Sequence, residues 1–252
     1  MVQIVGISGK KQSGKNTVAN LLHGLVLKKR GMVKDFFINK EGELTVLTRN
    51  NRGEEGYGVF DVSRKDAEFV TYAERELWPH VKLYSFADGL KSICVEFFGL
   101  APEQVYGTDT QKNSKTDLLW KDMPYVKDKQ WMVNAGAGKH MTAREFMQYF
   151  GTNIMRQMYG PIWVNHTINT IADEQTELAI VSDARFPNEV LAIKEAGGKV
   201  VRLTRNKFKD DHNSETALDE NNYDWSNFDA VINNSKASIE TLCSKVSALK
   251  LY

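Results

Sequence analysis

The sequence predicts an α/β fold with a mainly parallel five-stranded sheet covered by helices on both faces. Three observations carry this. Short apolar runs of buried-strand type recur along the chain, helically periodic segments alternate with them, and glycine or proline punctuates the junctions. The 252 residues are enough for one large domain with insertions. An apolar fraction of 42% and a charged fraction of 26% are those of a globular protein, which excludes disordered, collagen-like and disulfide-stapled classes. With 33 basic against 32 acidic side chains the net charge is +1, so composition gives no case for a nucleic-acid coat or a membrane-surface binder.

The first strand is read over residues 2–7, ending at Ser8-Gly9, and the helix after it stripes Val18, Leu21, Leu22, Leu25 and Val26 along one face. Lys28-Lys29-Arg30-Gly31 closes that helix with cations in its last turn and a glycine stop. Residues 35–75 read as an insertion. Phe36-Phe37-Ile38 and Leu44-Thr45-Val46-Leu47 form a β-hairpin around Asn39-Lys40-Glu41-Gly42, and a Gly-rich polar stretch (Gly53, Gly56, Gly58) lies behind it. Alternation resumes with a strand over 81–86 and a helix over 87–98 that buries Leu90, Ile93, Cys94 and Phe97, stopped by Gly99.

Residues 101–140, including Asn134-Ala135-Gly136-Ala137-Gly138-Lys139, are polar without a clean period, which is the character of a lid or mobile loop. Thr142-Ala143-Arg144-Glu145 is a capping-box signature, opening a helix that buries Phe146, Met147, Phe150 and Ile154, and a second helical segment follows Pro161. A buried strand over 178–182 ends at Asp183. A helix follows Pro187 and closes at Gly197-Gly198, strands are expected over 199–203 and 229–232, and Ile239, Leu242, Val246 and Leu249 stripe a C-terminal helix. Cys94 and Cys243, far apart in sequence, fit no metal or CxxC spacing and are expected to be reduced. With no signal-like segment and no run approaching a membrane span, a cytoplasmic location is expected.

The strongest motif is Gly9-Lys10-Lys11-Gln12-Ser13-Gly14-Lys15-Asn16-Thr17, between the first strand and its helix. Glycines there let successive N–H groups point at phosphate oxygens, the helix N-terminus adds positive potential, and Lys15, on a solvent-filled loop, reaches the β and γ phosphates. The strict pattern has Ser or Thr after the lysine; here Asn16 stands there and Thr17 follows. Downstream, Arg144, Gln148, Gly151 and Thr152 fall at i, i+4, i+7 and i+8, a polar stripe opposite the apolar one. A glycine inside a good helix costs about 1 kcal/mol relative to alanine, which favours close approach of something to that face. Asp183, Arg185, Asn188 and Glu189 sit at the carboxyl end of a buried strand, where parallel α/β sheets bind ligands. Asp211-His212-Asn213-Ser214-Glu215 is a dense polar cluster after the fourth strand of the sheet.

Taken in order, Gly9 to Thr17, Ser85-Phe86-Ala87-Asp88-Gly89-Leu90-Lys91, Thr142 to Glu145 with Gln148 and Phe150-Gly151-Thr152, Trp163-Val164, Asp183 to Glu189 and His212 to Glu215 resemble the tailed-phage deoxynucleoside monophosphate kinases. The resemblance covers most of the chain outside the 35–75 insertion. It implies a P-loop NTPase-type three-layer fold in a single kinase domain and ATP-dependent phosphorylation of dNMP to dNDP with Mg²⁺. By the same resemblance Lys11, Gln12, Ser13, Gly14, Lys15, Asn16 and Thr17 bind ATP. It places Lys91, Arg144, Gln148, Gly151, Thr152, Trp163, Asp183, Arg185 and Glu189 around the dNMP. Lys15, Asn16, Arg144, Asp183 and Arg185 are the expected catalytic set, with Asn16 and Asp183 meeting the metal through water.

The expected partner is the dNMP itself, without nucleic acid or membrane, in a host cytoplasm; a homodimer is left open. Members of this family usually carry Asp where this chain has Asn16, and loss of that carboxylate is expected to impair the reaction. Two rival classes keep the ATP loop: a small-molecule kinase of the dephospho-coenzyme A or phosphomevalonate type, and a nucleotide-binding module that transfers nothing.

Overall fold

The computed structural model describes residues 2–49, 52–124, 139–206 and 213–252. The elements are, in chain order, β1 (Gln3–Gly9), α1 (Lys15–Lys29), β2 (Phe36–Ile38), β3 (Leu44–Arg49), β4 (Glu55–Val59), α2 (Ala67–Glu76), β5 (Val81–Tyr84), α3 (Asp88–Glu96), α4 (Pro102–Tyr106), α5 (Asp109–Lys112), β6 (Lys115–Leu119), β7 (His140–Thr142), α6 (Ala143–Gln148), α7 (Ile162–Glu174), β8 (Leu178–Ala184), α8 (Pro187–Glu195), β9 (Lys199–Leu203), α9 (Asn213–Thr216), β10 (Ala230–Ile232) and α10 (Ile239–Ala248). They fall into two compact units, Met1–Phe86 with Thr167–Tyr252, and Ala87–His166.

The first unit holds a five-stranded sheet of order β10-β9-β1-β8-β5, parallel throughout. Its central strands read as apolar runs because both faces are covered: Val5, Ile7, Ile180, Val181, Val200 and Val201 are fully buried. The predicted stripe of α1 packs there, with Val18, Leu21, Leu22 and Val26 in the core beside Leu242 and Val246 of α10. This is the doubly covered α/β architecture of P-loop NTPases. No helix among the described residues is long and apolar enough to cross a membrane.

The insertion differs from the hairpin expected. The Gly-rich stretch behind it is a third strand, β4, paired antiparallel to β3 from Thr45↔Val59 to Arg49↔Glu55. Its residues are mostly exposed, so it is held by backbone pairing and leaves no apolar alternation to read. A helix, α2, closes the insertion; Asp66 caps it by accepting from the Phe69 amide, and Phe69 and Ala73 enter the core.

The second unit has its own core of Cys94, Leu100, Val105, Trp120, Met141, Ala143, Phe146 and Tyr149. Phe97, expected inside, is 78% exposed: it is the C-cap of α3, its backbone still helical and its side chain outside the core. The described part of 101–140 is regular rather than irregular: α4, α5, β6 and a 3-10 turn at Trp120–Asp122 occupy it, and Trp120 is buried. Thr108 and Gln111 bond reciprocally at the start of α5. Elements of four or five residues are too short to show a period. The Asn134 to Gly138 segment lies outside the described residues. Both cysteines are free, and burial pushes the Cys94 thiol up to about 12, which leaves it unreactive.

Candidate active site

β1 runs into the phosphate loop, and the sheet places a strand on each side of it. Ser8 is in register with Ala184 of β8 and with Arg202 of β9. The loop is bent by special backbone: Gln12 and Gly14 have φ of 57° and 100°. A Cβ at Gly9 would lie 2.3 Å from Ser13 Oγ, so close packing requires that glycine, whereas Gly14, where a Cβ would meet Leu242 Cδ2 at 3.2 Å, is required by its φ of 100°. The Ser13 amide donates to the Lys10 carbonyl at 3.1 Å. From below, Asn234, fully buried, donates to the Ser13 carbonyl at 2.7 Å while its Oδ1 accepts from the Arg205 amide.

Lys15 is buried, contrary to the solvent-filled setting expected. Its ammonium donates to the carbonyls of Gly9 and Lys10, each at 2.8 Å, inside the curve of the loop. Burial first, then the charge of Arg185, lowers its pKa to about 7; Asp183 opposes the shift and Arg202 adds to it. A phosphate anion beside Lys15 favours its charged form, so the bound pKa lies above the free one. Phosphate binding near pH 8 is therefore expected to take up a proton, and affinity is expected to fall as pH rises past about 7. Calorimetry in buffers of different ionisation enthalpy checks this: a binding heat independent of buffer contradicts it.

On the β8 side, Asp183 accepts from Ser85 Oγ and, at 2.8 Å, from the Phe86 amide, which fixes its carboxylate between β8 and the end of β5. Arg185 donates through Nη1 to Glu215, whose other oxygen accepts from the Lys11 amide at 2.9 Å. A carboxylate thus bridges a loop N–H and a guanidinium. Glu189 is 2% exposed; its Oε2 accepts from the amides of Arg185 at 2.7 Å and Phe186 at 3.1 Å, closing the first turn of α8. It shapes the loop that carries Arg185. Asn16 is exposed at the second position of α1, a helix with no acidic residue in its first turn.

In the second unit, Thr142 and Glu145 form the predicted capping box at the start of α6. Arg144 is 30% exposed and held by Asp109 at 2.6 Å and Asn113 at 2.8 Å. The α spacing behind the polar stripe holds only to Gln148. From Tyr149 to Met155 the backbone is π-helical, a geometry that recurs at functional sites. The close approach that Gly151 permits is by Leu90 of α3: a Cβ would lie 2.6 Å from Leu90 Cδ2. Trp163, expected at the base, is 4% exposed and donates Nε1 to the Gly151 carbonyl at 3.1 Å, which ties α7 to the π turn. Lys91 lies 3.4 Å from Asp88 and over the Tyr106 ring.

His212 lies outside the described residues. Glu215, which the sequence offered only as part of a polar cluster, and Arg202, Asp219 and Asn234, which it did not single out, all touch the loop or its flanks. A charged residue inside the apolar run of β9 was the one available signal.

A glycine-bent loop at the carboxyl end of a central parallel strand, closed on a buried lysine and opening a helix, is the local arrangement of a P-loop NTPase-like fold. The sequence model of the deoxynucleotide monophosphate kinase family matches residues 3–246, and the chain belongs to that family. It is therefore an enzyme, a phosphotransferase. A protein of Acanthamoeba polyphaga mimivirus, assigned as a deoxynucleotide monophosphate kinase, is 31% identical over 176 residues, covering 64% of this chain and 79% of that one.

Proposed function

We propose that the protein transfers the γ-phosphoryl group of ATP to a deoxynucleoside monophosphate, giving dNDP and ADP, and that it is of the tailed-phage type, with that of bacteriophage T5 the nearest resemblance. The observation that carries this is the loop around Lys15, whose ammonium is held by the Gly9 and Lys10 carbonyls inside the loop's curve. Phosphoryl transfer asks for alignment and charge stabilisation more than covalent chemistry. Lys15 and the amides of residues 11–17 hold the donor phosphates, with Glu215 displaced from the Lys11 amide as they bind. On the family resemblance alone, Arg185 of the first unit and Arg144 of the second are each read as a guanidinium for the acceptor phosphate, and Lys91, Gln148, Gly151 and Thr152 as residues for the dNMP. Glu189 and Trp163 act through Arg185 and the π turn.

Magnesium fits as a passenger of the nucleotide. Among the described residues no group of three or more His, Cys, Asp or Glu side chains converges. The groups read as meeting the ion are the Asp183 carboxylate, whose charge reaches Lys15, and the exposed amide of Asn16. This suits an ion that keeps several waters and is bound chiefly through phosphates. Once bound, it would neutralise charge on the moving phosphoryl group.

The test is ADP release, coupled to a reporter, with ATP, Mg²⁺ and a panel of dNMPs. Saturable, dNMP-dependent release is expected; release without any dNMP, or only with another acceptor, contradicts the reading. Arg144→Ala is expected to weaken dNMP binding by roughly 1.5–3 kcal/mol and leave ATP affinity nearly unchanged. Arg185→Ala, whose partner Glu215 also holds the Lys11 amide, is expected to disturb both. Isothermal titration of each ligand distinguishes the two patterns.

A further inference from the structure

β9 is apolar except at one inward position. Val200, Val201 and Leu203 are buried, and so is Arg202, at 4% exposure. Its Nη1 donates to Ser8 Oγ at 2.9 Å, its Nη2 lies 3.6 Å from Asp219, and its guanidinium rests over the Trp225 and Phe228 rings, 5.6 and 5.9 Å from their centroids. Its Nε has no hydrogen-bond partner among the described residues. A cation so placed gives up much hydration for one long ion pair, one neutral bond and two ring contacts, and an apolar side chain would pack on the same two rings without that loss. Fold stability therefore does not account for it.

What Arg202 touches does. Ser8 is the last residue before Gly9. Asp219, its ion-pair partner, accepts from Lys10 Nζ at 2.8 Å, so the network grips the loop on both sides of Gly9. The carbonyls of Gly9 and Lys10, between those grips, are the two that hold Lys15. We propose that Arg202 is a positioning residue of the donor site: with Asp219 it fixes Ser8 and Lys10, and through them the lysine that meets the donor phosphates, while its own permanent charge favours those phosphates. The proposal rests on the reading of the loop as the donor site.

Donor and acceptor KM, kcat, and direct binding of tripolyphosphate by calorimetry test it. Arg202→Met is expected to raise the ATP KM and the tripolyphosphate Kd about tenfold with the dNMP KM unchanged. Arg202→Lys, which keeps the charge without the fork, is expected to recover most of that binding but not the full kcat. Should Arg202→Met not fold, Asp219→Asn, at a part-exposed site, reads the same network: a severalfold rise in ATP KM is expected, to which Lys10→Met adds little. A folded Arg202→Met or Asp219→Asn protein with wild-type ATP KM and tripolyphosphate Kd overturns the proposal. Lys15→Met serves as the control. If it too leaves tripolyphosphate binding intact, the donor-site reading itself has failed.

Discussion

Lys15→Met is expected to lower phosphoryl transfer at least about a thousandfold in a protein that still folds. The lysine is a charged side chain held by the loop's own carbonyls, and in the transition state it would face the charge developing between the β and γ phosphates. Stability is expected to change little, for two opposing reasons. Methionine takes the ammonium donor from both carbonyls; that of Lys10 still accepts from the Ser13 amide, and the loss costs up to about 1–3 kcal/mol at Gly9 where water cannot reach it. It also removes an ammonium whose pKa is brought down to about 7, first by burial and then by the charge of Arg185, and that relief opposes the cost. Thermal melting and steady-state transfer, measured on the same preparation, check both halves. Turnover near wild type in the folded variant contradicts the phosphate-loop assignment.

Asn16→Asp is expected to act in the opposite direction, raising kcat about a hundredfold or more with Mg²⁺ present. A carboxylate at this position can accept bonds from Mg²⁺-bound waters and adds a full negative charge near the ion, whereas an amide offers a dipole, half of which is a donor facing the cation the wrong way. Because Asn16 is exposed and Asp has nearly the same shape, packing is unaffected. The first turn of α1 carries no acidic residue, so the new charge also meets an unopposed helix N-terminus and is expected to add about 0.3–1 kcal/mol of stability. A melting temperature slightly raised, with kcat raised far more, is the expected pair of results. Equal turnover of the two forms at saturating ATP, dNMP and Mg²⁺ would show the carboxylate to be dispensable.

Much of the site was legible because it is written locally. The candidate phosphate loop depends on two glycines and a lysine within seven residues; a Cβ would collide with Ser13 at the first glycine, and the second has a φ of 100°. The strands of the main sheet were legible because covering both faces demands continuous apolar runs, and the capping box before α6 because its partners are three residues apart. β4 and the short elements of 102–122 were not. An exposed strand held by its neighbour's backbone, and helices of a single turn, leave no periodic trace.

The sequence by itself determined the succession of the main-sheet strands and their helices, the place of the candidate phosphate loop and the residue types around it, since each follows from near neighbours. Only the tertiary structure decided that Lys15 is buried, that Gly151 makes room for Leu90, that Glu189 and Trp163 bond to backbone, and that Arg202 reaches Ser8 and Asn234 reaches Ser13 across 194 and 221 residues. Burial and hydrogen bonding are set by which segments the sheet brings side by side. In a parallel sheet of order β10-β9-β1-β8-β5 the neighbours of the loop come from the other end of the chain.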